Sequence, residues 1–191
     1  PKPSSAASDV YKRQLMNKAT VGIYSIGTAL AEIQMYIPLA IGWVWMPRVA
    51  SQTVVESVGG TIRLMKRVLP VLILTSVVLT LTGKWFIPMV FGEEFLESYY
   101  VMLIMLPGMI ALGLVLVISG FFAGIGKPHL STLTSLIAAT SIVIVDLLLI
   151  PIWGTRGAGM GSTVGYAIGF ASALFLFRRE SRMAQTEDLP S

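Results

Sequence analysis

Uncharged apolar runs, each about as long as a bilayer is thick, recur along this chain with only short charged or Gly/Pro interruptions. A helix rising about 1.5 Å per residue needs about 20 such residues to cross about 30 Å of hydrocarbon. On that measure the sequence predicts five spans, at about 19–47, 65–87, 98–123, 130–150 and 157–177. Barrel strands would read as about ten residues of alternating polarity, whereas "VLILTSVVLTL" and "LVLVISGFF" do not alternate. The expected fold class is therefore an all-α membrane protein. Composition agrees: with 54% hydrophobic and 13% charged residues and a mean hydropathy of +0.77, there is too little charge to cover a soluble surface. Cysteine is absent, which excludes disulfides, thiolate metal sites and a cysteine nucleophile.

The first residues do not belong to this pattern. "SSAASDVYKRQ", Ser4 to Gln14, matches at every position the translation, in one frame, of a transposase adapter used in sequencing libraries. Residues 1–14 are expected to be an adapter-derived artefact, 15–182 the native membrane region and 183–191 a polar, frayed tail. On this reading the native N-terminal part is missing. Discounting Lys2, Lys12, Arg13 and Asp9 lowers the net charge from +4 to +2, which gives no reason to expect a nucleic-acid partner. The remaining cations are unevenly placed. Eight of them, Arg48, Arg63, Lys66, Arg67, Lys127, Arg178, Arg179 and Arg182, fall on one side of the predicted spans, against Lys18, Lys84 and Arg156 on the other. By the positive-inside rule the richer side is cytoplasmic, which predicts a multi-pass protein with a cytoplasmic C-terminus.

Motifs of soluble enzymes fail on spacing. "GFFAGIGKPH" would need glycine at Phe121 and Ser or Thr at Pro128 to be a phosphate loop, and "GAGMG" has no strand or βαβ unit around it. His129 is the sole histidine, so no histidine metal cluster or His pair can form. No catalytic constellation, metal site or cofactor is expected.

Polarity inside the spans is more informative. Tyr24, Thr28, Glu32 and Tyr36 follow at four-residue steps on one face of the first span, and Asp146 lies within "SIVIVDLLLIP" near an outer end. An ionisable residue at a helix centre costs about 2.5–3.5 kcal/mol on insertion scales, so these positions face protein or a wet cavity, either as a functional lining or as buried structural groups. Gly157, Gly161, Gly165, Gly169 and Ala173 set a small residue at every fourth place of the fifth span, a stripe suited to helix packing within the chain or to a dimer interface. Pro38 and the Pro107-Gly108 pair mark bends that are hinges or static kinks.

The order of "VGIYSIGTALAEIQMYIPLAIGWVWMPRVAS", "FGEEFLESYYVMLIMLPG", "SGFFAGIGKP" and "LLLIPIWGTRGAGMGSTVGYAIG" resembles the C-terminal half of polysaccharide-export flippases. These include O-antigen and lipopolysaccharide flippases, within the multidrug, oligosaccharidyl-lipid and polysaccharide exporter superfamily. The resemblance covers nearly all of 17–182 and implies the last five helices of a twelve-helix, two-lobed protein. It also implies transport of polyprenyl-diphosphate-linked oligosaccharide across a bacterial or archaeal cytoplasmic membrane by alternating access, without covalent chemistry. The implied partners are the bilayer, the lipid-linked oligosaccharide, the missing N-terminal lobe and glycan polymerase machinery. Glu32 and its stripe, with Asp146, are then the candidate cavity lining, and Arg48, Lys127 and Arg156 the candidate phosphate contacts. Alternative readings are a drug/cation antiporter or peptidoglycan lipid-precursor flippase of the same superfamily, a structural membrane subunit, and a membrane glycan polymerase.

Overall fold

The computed structural model describes residues 18–187; the adapter-like stretch lies outside them. The order is α1 (Lys18–Glu32), a 3₁₀ turn (Ile33–Met35), α2 (Tyr36–Ala50), α3 (Val54–Phe91), a second 3₁₀ turn (Glu93–Phe95), α4 (Leu96–Gly124) and α5 (Pro128–Glu187). No strand occurs among the described residues. The continuous rod from Thr20 to Ala50, α3, the Glu93–Gly124 stretch and α5 are each long and apolar enough to cross a membrane.

Each break has a local cause. Pro38 has no N–H to offer the preceding turn, and its ring crowds the carbonyl four residues back; the rod tightens to 3₁₀ geometry across Ile33–Met35 at that point. Thr53 opens α3 with a capping box: its hydroxyl accepts from the Glu56 N–H at 3.3 Å, and the Glu56 carboxylate accepts from the Thr53 N–H at 3.2 Å. That cap explains why α3 starts well before the apolar run predicted from residue 65. Gly92, at φ 99°, ends α3, so the helix runs on to Phe91, past the predicted end of the second span at 87. Gly126, at φ 75°, closes α4, with Lys127 N–H donating to the Phe122 carbonyl at 2.8 Å and Gly126 N–H to Ala123 at 3.1 Å, the paired bonds of a Schellman turn.

Gly154 interrupts α5 with φ 54° and ψ −126°, joining two helices. Successive glycines of the second limb, Gly157, Gly161, Gly165 and Gly169, face Leu149, Asp146, Ile142 and Ala138 of the first in reverse order. The limbs are therefore antiparallel, with the chain reversing at Gly154. The second limb continues past Phe177 to Glu187; residues 188–191 of the expected polar tail lie outside those described.

The most buried element is α4: 61% of its apolar stretch is buried, against 11–22% in the others. Small residues set the approach distances around it. A Cβ at Gly27 of α1 would sit 2.7 Å from the Ser98 carbonyl, one at Gly120 would sit 2.8 Å from the Gly42 carbonyl of α2, and one at Gly108 would sit 2.6 Å from the Thr163 backbone of α5. Such crossings let dispersion contacts form where lipid supplies no hydrophobic drive. Two main clusters fill the interior. Val101, Met102, Met105 and Met109 pack with Tyr24, Ala31, Ile150 and Ala158, while Phe121 and Phe122 pack with Val49, Ala173 and Phe177. Outward, Trp43, Trp85, Met89, Ile152 and Phe175 are largely exposed, a belt that suits hydrocarbon and would be an aggregation surface in water.

Candidate functional site: a polar seam and its flanking cations

Polar groups of α1 meet α4 and α5 along one seam. The hydroxyls of Tyr24 and Ser162 are 3.3 Å apart, both buried, and Thr28 donates to the Met105 sulfur at 3.4 Å. One turn on, Glu32 is half-buried. Tyr36 leaves the seam and is 71% exposed. The reason is geometric: a 3₁₀ turn advances about 120° per residue, three to a turn, so the three residues from Ile33 to Met35 rotate Tyr36 off the stripe that carries the other three.

Asp146 is fully buried rather than near water, held on the first limb of α5 with its carboxylate over Gly161. Since Ser162 follows Gly161, the second limb brings Asp146 and Tyr24 to adjacent positions on α5. Thr163, next along, donates to the Ile104 carbonyl of α4 at 2.6 Å. The glycine stripe of the second limb is thus occupied by the first limb of the same chain; Ala173 continues it into the Phe121/Phe122 cluster.

Sequence reasoning passed over Gln34. It lies inside the 3₁₀ turn, is 1% exposed and accepts from the Ser76 hydroxyl of α3 at 3.1 Å. Its amide nitrogen has no partner among the described residues. Ser76 also lines a groove of about 330 Å³ between α3 and α4, walled by Val77, Thr80, Leu103, Leu106 and Pro107. A glutamine within an otherwise apolar span is visible in the sequence, but only the proline-induced tightening turns it inward.

The cations divide into two kinds. Arg156 is bidentate to Glu97, at 2.6 and 3.0 Å, and lies 4.9 Å over the Tyr100 ring; the hydrogen bond and charge of Glu97 raise its pKa further above the usual arginine value. Lys127 pairs with Glu180 at 2.6 Å. Arg48 makes no ion pair with any described carboxylate and instead shares a cavity with Arg63 and Arg67. Among the described residues no group of three or more His, Cys, Asp or Glu could hold a metal ion.

Long apolar helices with an outward apolar belt and an internal polar seam are the build of an all-α membrane protein. Within that class the chain is similar to the capsular polysaccharide biosynthesis protein CapF of Staphylococcus aureus, 26% identical over 174 residues. The match covers 86% of this chain and 43% of that protein, so the chain spans less than half the length of this relative. No family model matches, and no solved structure matches significantly.

Proposed function

We propose that this chain is the C-terminal part of a transporter that moves a polyprenyl-diphosphate-linked oligosaccharide across a cytoplasmic membrane by alternating access, with its C-terminus in the cytoplasm. The observation that carries this reading is the seam of Tyr24, Ser162, Thr28 and Glu32 within helices of membrane length. A sugar head group cannot cross hydrocarbon without polar groups to replace its water, and such groups belong at the interface between helix bundles that rock against each other. Similarity to a capsular polysaccharide biosynthesis protein supports a glycan cargo. In this reading an N-terminal lobe supplies the other wall of the cavity, glycan polymerase machinery receives the cargo, and no covalent step or nucleic acid is involved.

Glu32 tests it. In the intact gene product, Glu32→Gln keeps the polar shape and removes ionisation, and Glu32→Ala removes both. Lipid-linked glycan reaching the outer leaflet is measured beside membrane abundance. Export is expected to fall with Glu32→Ala at unchanged abundance. Retained export with Glu32→Gln assigns hydrogen bonding to the site, and loss with both assigns ionisation. Normal export by both variants, or abundance falling in step with export, overturns a transport role for Glu32.

A further inference from the structure

The corner where α2 ends and α3 begins carries a second site, independent of the seam. Trp45 and Arg48 from α2 and Gly60, Arg63, Leu64 and Arg67 from α3 enclose a cavity of about 260 Å³. Its floor is fixed. The Trp45 indole N–H donates to the Thr61 hydroxyl at 3.1 Å, and that hydroxyl in turn donates to the Ser57 carbonyl at 2.7 Å. The ring lies so close over Gly60 that a Cβ there would be 2.6 Å from it; any larger residue would displace the indole. Around this apolar floor stand three guanidinium groups. Arg63 and Arg67 are one turn apart on α3, and Arg48 is in the last turn of α2, where the helix dipole already favours a cation.

No acidic residue lines the cavity. Arg48, Arg63 and Arg67 are exposed and, unlike Arg156 and Lys127, make no ion pair with a described carboxylate. Glu56, a few turns back on α3, is committed to the Thr53 N–H. Three like charges converging on one cavity repel one another and are stabilised by an anion that brings several acceptor oxygens, as a phosphate ester does. Trp45 and Leu64 give the cavity an apolar wall, and the exposed Val44 lies one turn before Arg48 on α2, so the ligand that matches the whole site has a phosphate at its head and hydrocarbon beside it.

We propose that this corner binds the head group of an anionic diacyl phospholipid, with the phosphate on Arg48, Arg63 and Arg67 and the glycerol region on Trp45 and Leu64. Basic pockets between membrane helices on the cytoplasmic side take such head groups. The site shares no residue with the polar seam; Arg48 is also a candidate phosphate contact in the transport reading, and the farnesyl diphosphate probe below separates the two.

The test uses the purified protein in a neutral detergent and measures bound lipid by native mass spectrometry. Four probes are compared: phosphatidylglycerol, phosphatidylcholine with the same acyl chains, glycerol phosphate and farnesyl diphosphate. Phosphatidylglycerol is expected to bind tightest, and Arg63→Gln and Arg67→Gln are each expected to weaken it about fivefold, the size of one interfacial cation's contribution. Lys66→Gln removes the same charge from the same helix outside the cavity and is expected to leave binding within about twofold. Trp45→Leu, at normal protein yield, is expected to weaken phosphatidylglycerol binding without removing charge. Equal losses for Lys66→Gln and Arg63→Gln would reduce the effect to general attraction and overturn the site. Preference for farnesyl diphosphate over phosphatidylglycerol would overturn it in favour of an isoprenoid cargo, and binding of glycerol phosphate as tight as that of the lipid would overturn the lipid assignment.

Discussion

Gly161 lacks a side chain where the Asp146 carboxylate occupies the space a Cβ would need. The two limbs of α5 therefore meet around a buried acid, and the stripe of small residues is what admits it. Gly161→Ala is expected to force the limbs apart at an overpacking cost of about 1–3 kcal/mol, read as a lower unfolding temperature in detergent. Gly59→Ala is the control: nothing lies within 4 Å of a Cβ there, and losing a helical glycine is worth about 0.5–1 kcal/mol, so that variant should be as stable as the parent or more so. Equal behaviour of the two would refute the close contact.

Gln34 and Ser76 form a polar pair within apolar surroundings. Ser76→Ala strands the Gln34 amide oxygen and is expected to cost about 1–3 kcal/mol. The single Ser76 proton is shared between Gln34 and the Leu72 carbonyl 2.9 Å away; Gln34→Leu removes the whole amide and leaves that proton to Leu72, so stability should hold or rise. In the double variant the loss from Ser76→Ala should disappear, a coupling that a double-mutant cycle measures directly. Additive losses would show that the two side chains do not interact.

Topology can be read from exposed positions. Ser57 and Thr155 are buried and would report poorly, whereas Gln52, His129 and Glu94 are exposed. The charge bias puts Gln52 and His129 inside and Glu94 outside. Single cysteines at each, in intact cells, are expected to react with an impermeant thiol reagent only at position 94. Labelling at 52 and 129 with protection at 94 would invert the orientation.

The Arg156–Glu97 pair ties the turn of α5 to the start of α4. Because Glu97 raises the Arg156 pKa, the arginine's share of the pairing is complete at any pH below its ordinary value and is lost only above it. A spin label at Trp153, itself exposed, should show mobility that is flat between about pH 6 and pH 9. The same label should loosen with Glu97→Gln, which removes the charge that holds Arg156. A label already mobile in the parent would dismiss the tie.

Much of the architecture was legible because hydrocarbon imposes length and apolarity on every span, and those are properties of a run rather than of contacts. The small-residue stripe could be read for the same reason: four-residue spacing lies on one helix face wherever the helix goes. Extrapolation failed at Tyr36, since a stripe drawn with uniform helical steps ignores the 3₁₀ turn before Pro38. Distance to the span end could not decide between a wet and a buried Asp146, because a limb folded back on it determines its burial. The pairing of Arg156 with Glu97 and of Lys127 with Glu180 joins residues far apart in sequence, and no local pattern anticipates such partners. Gln34 and the Arg63/Arg67 wall of the corner cavity were missed for the same reason.

The reversal at Gly154 bears on how the chain enters a membrane. The first limb of α5 carries a carboxyl that the second limb covers, and an ionisable side chain within a span is costly to insert until protein covers it. A ribosome delivers the first limb before its shield exists. The economical course is for the insertion machinery to hold the first limb at the protein–lipid boundary until Gly154 has turned the chain, then release both limbs to the bilayer as a single helical hairpin. Translation halted just after Gly154 should therefore leave the first limb extractable by alkaline carbonate, and translation extended beyond Ala173 should leave it resistant.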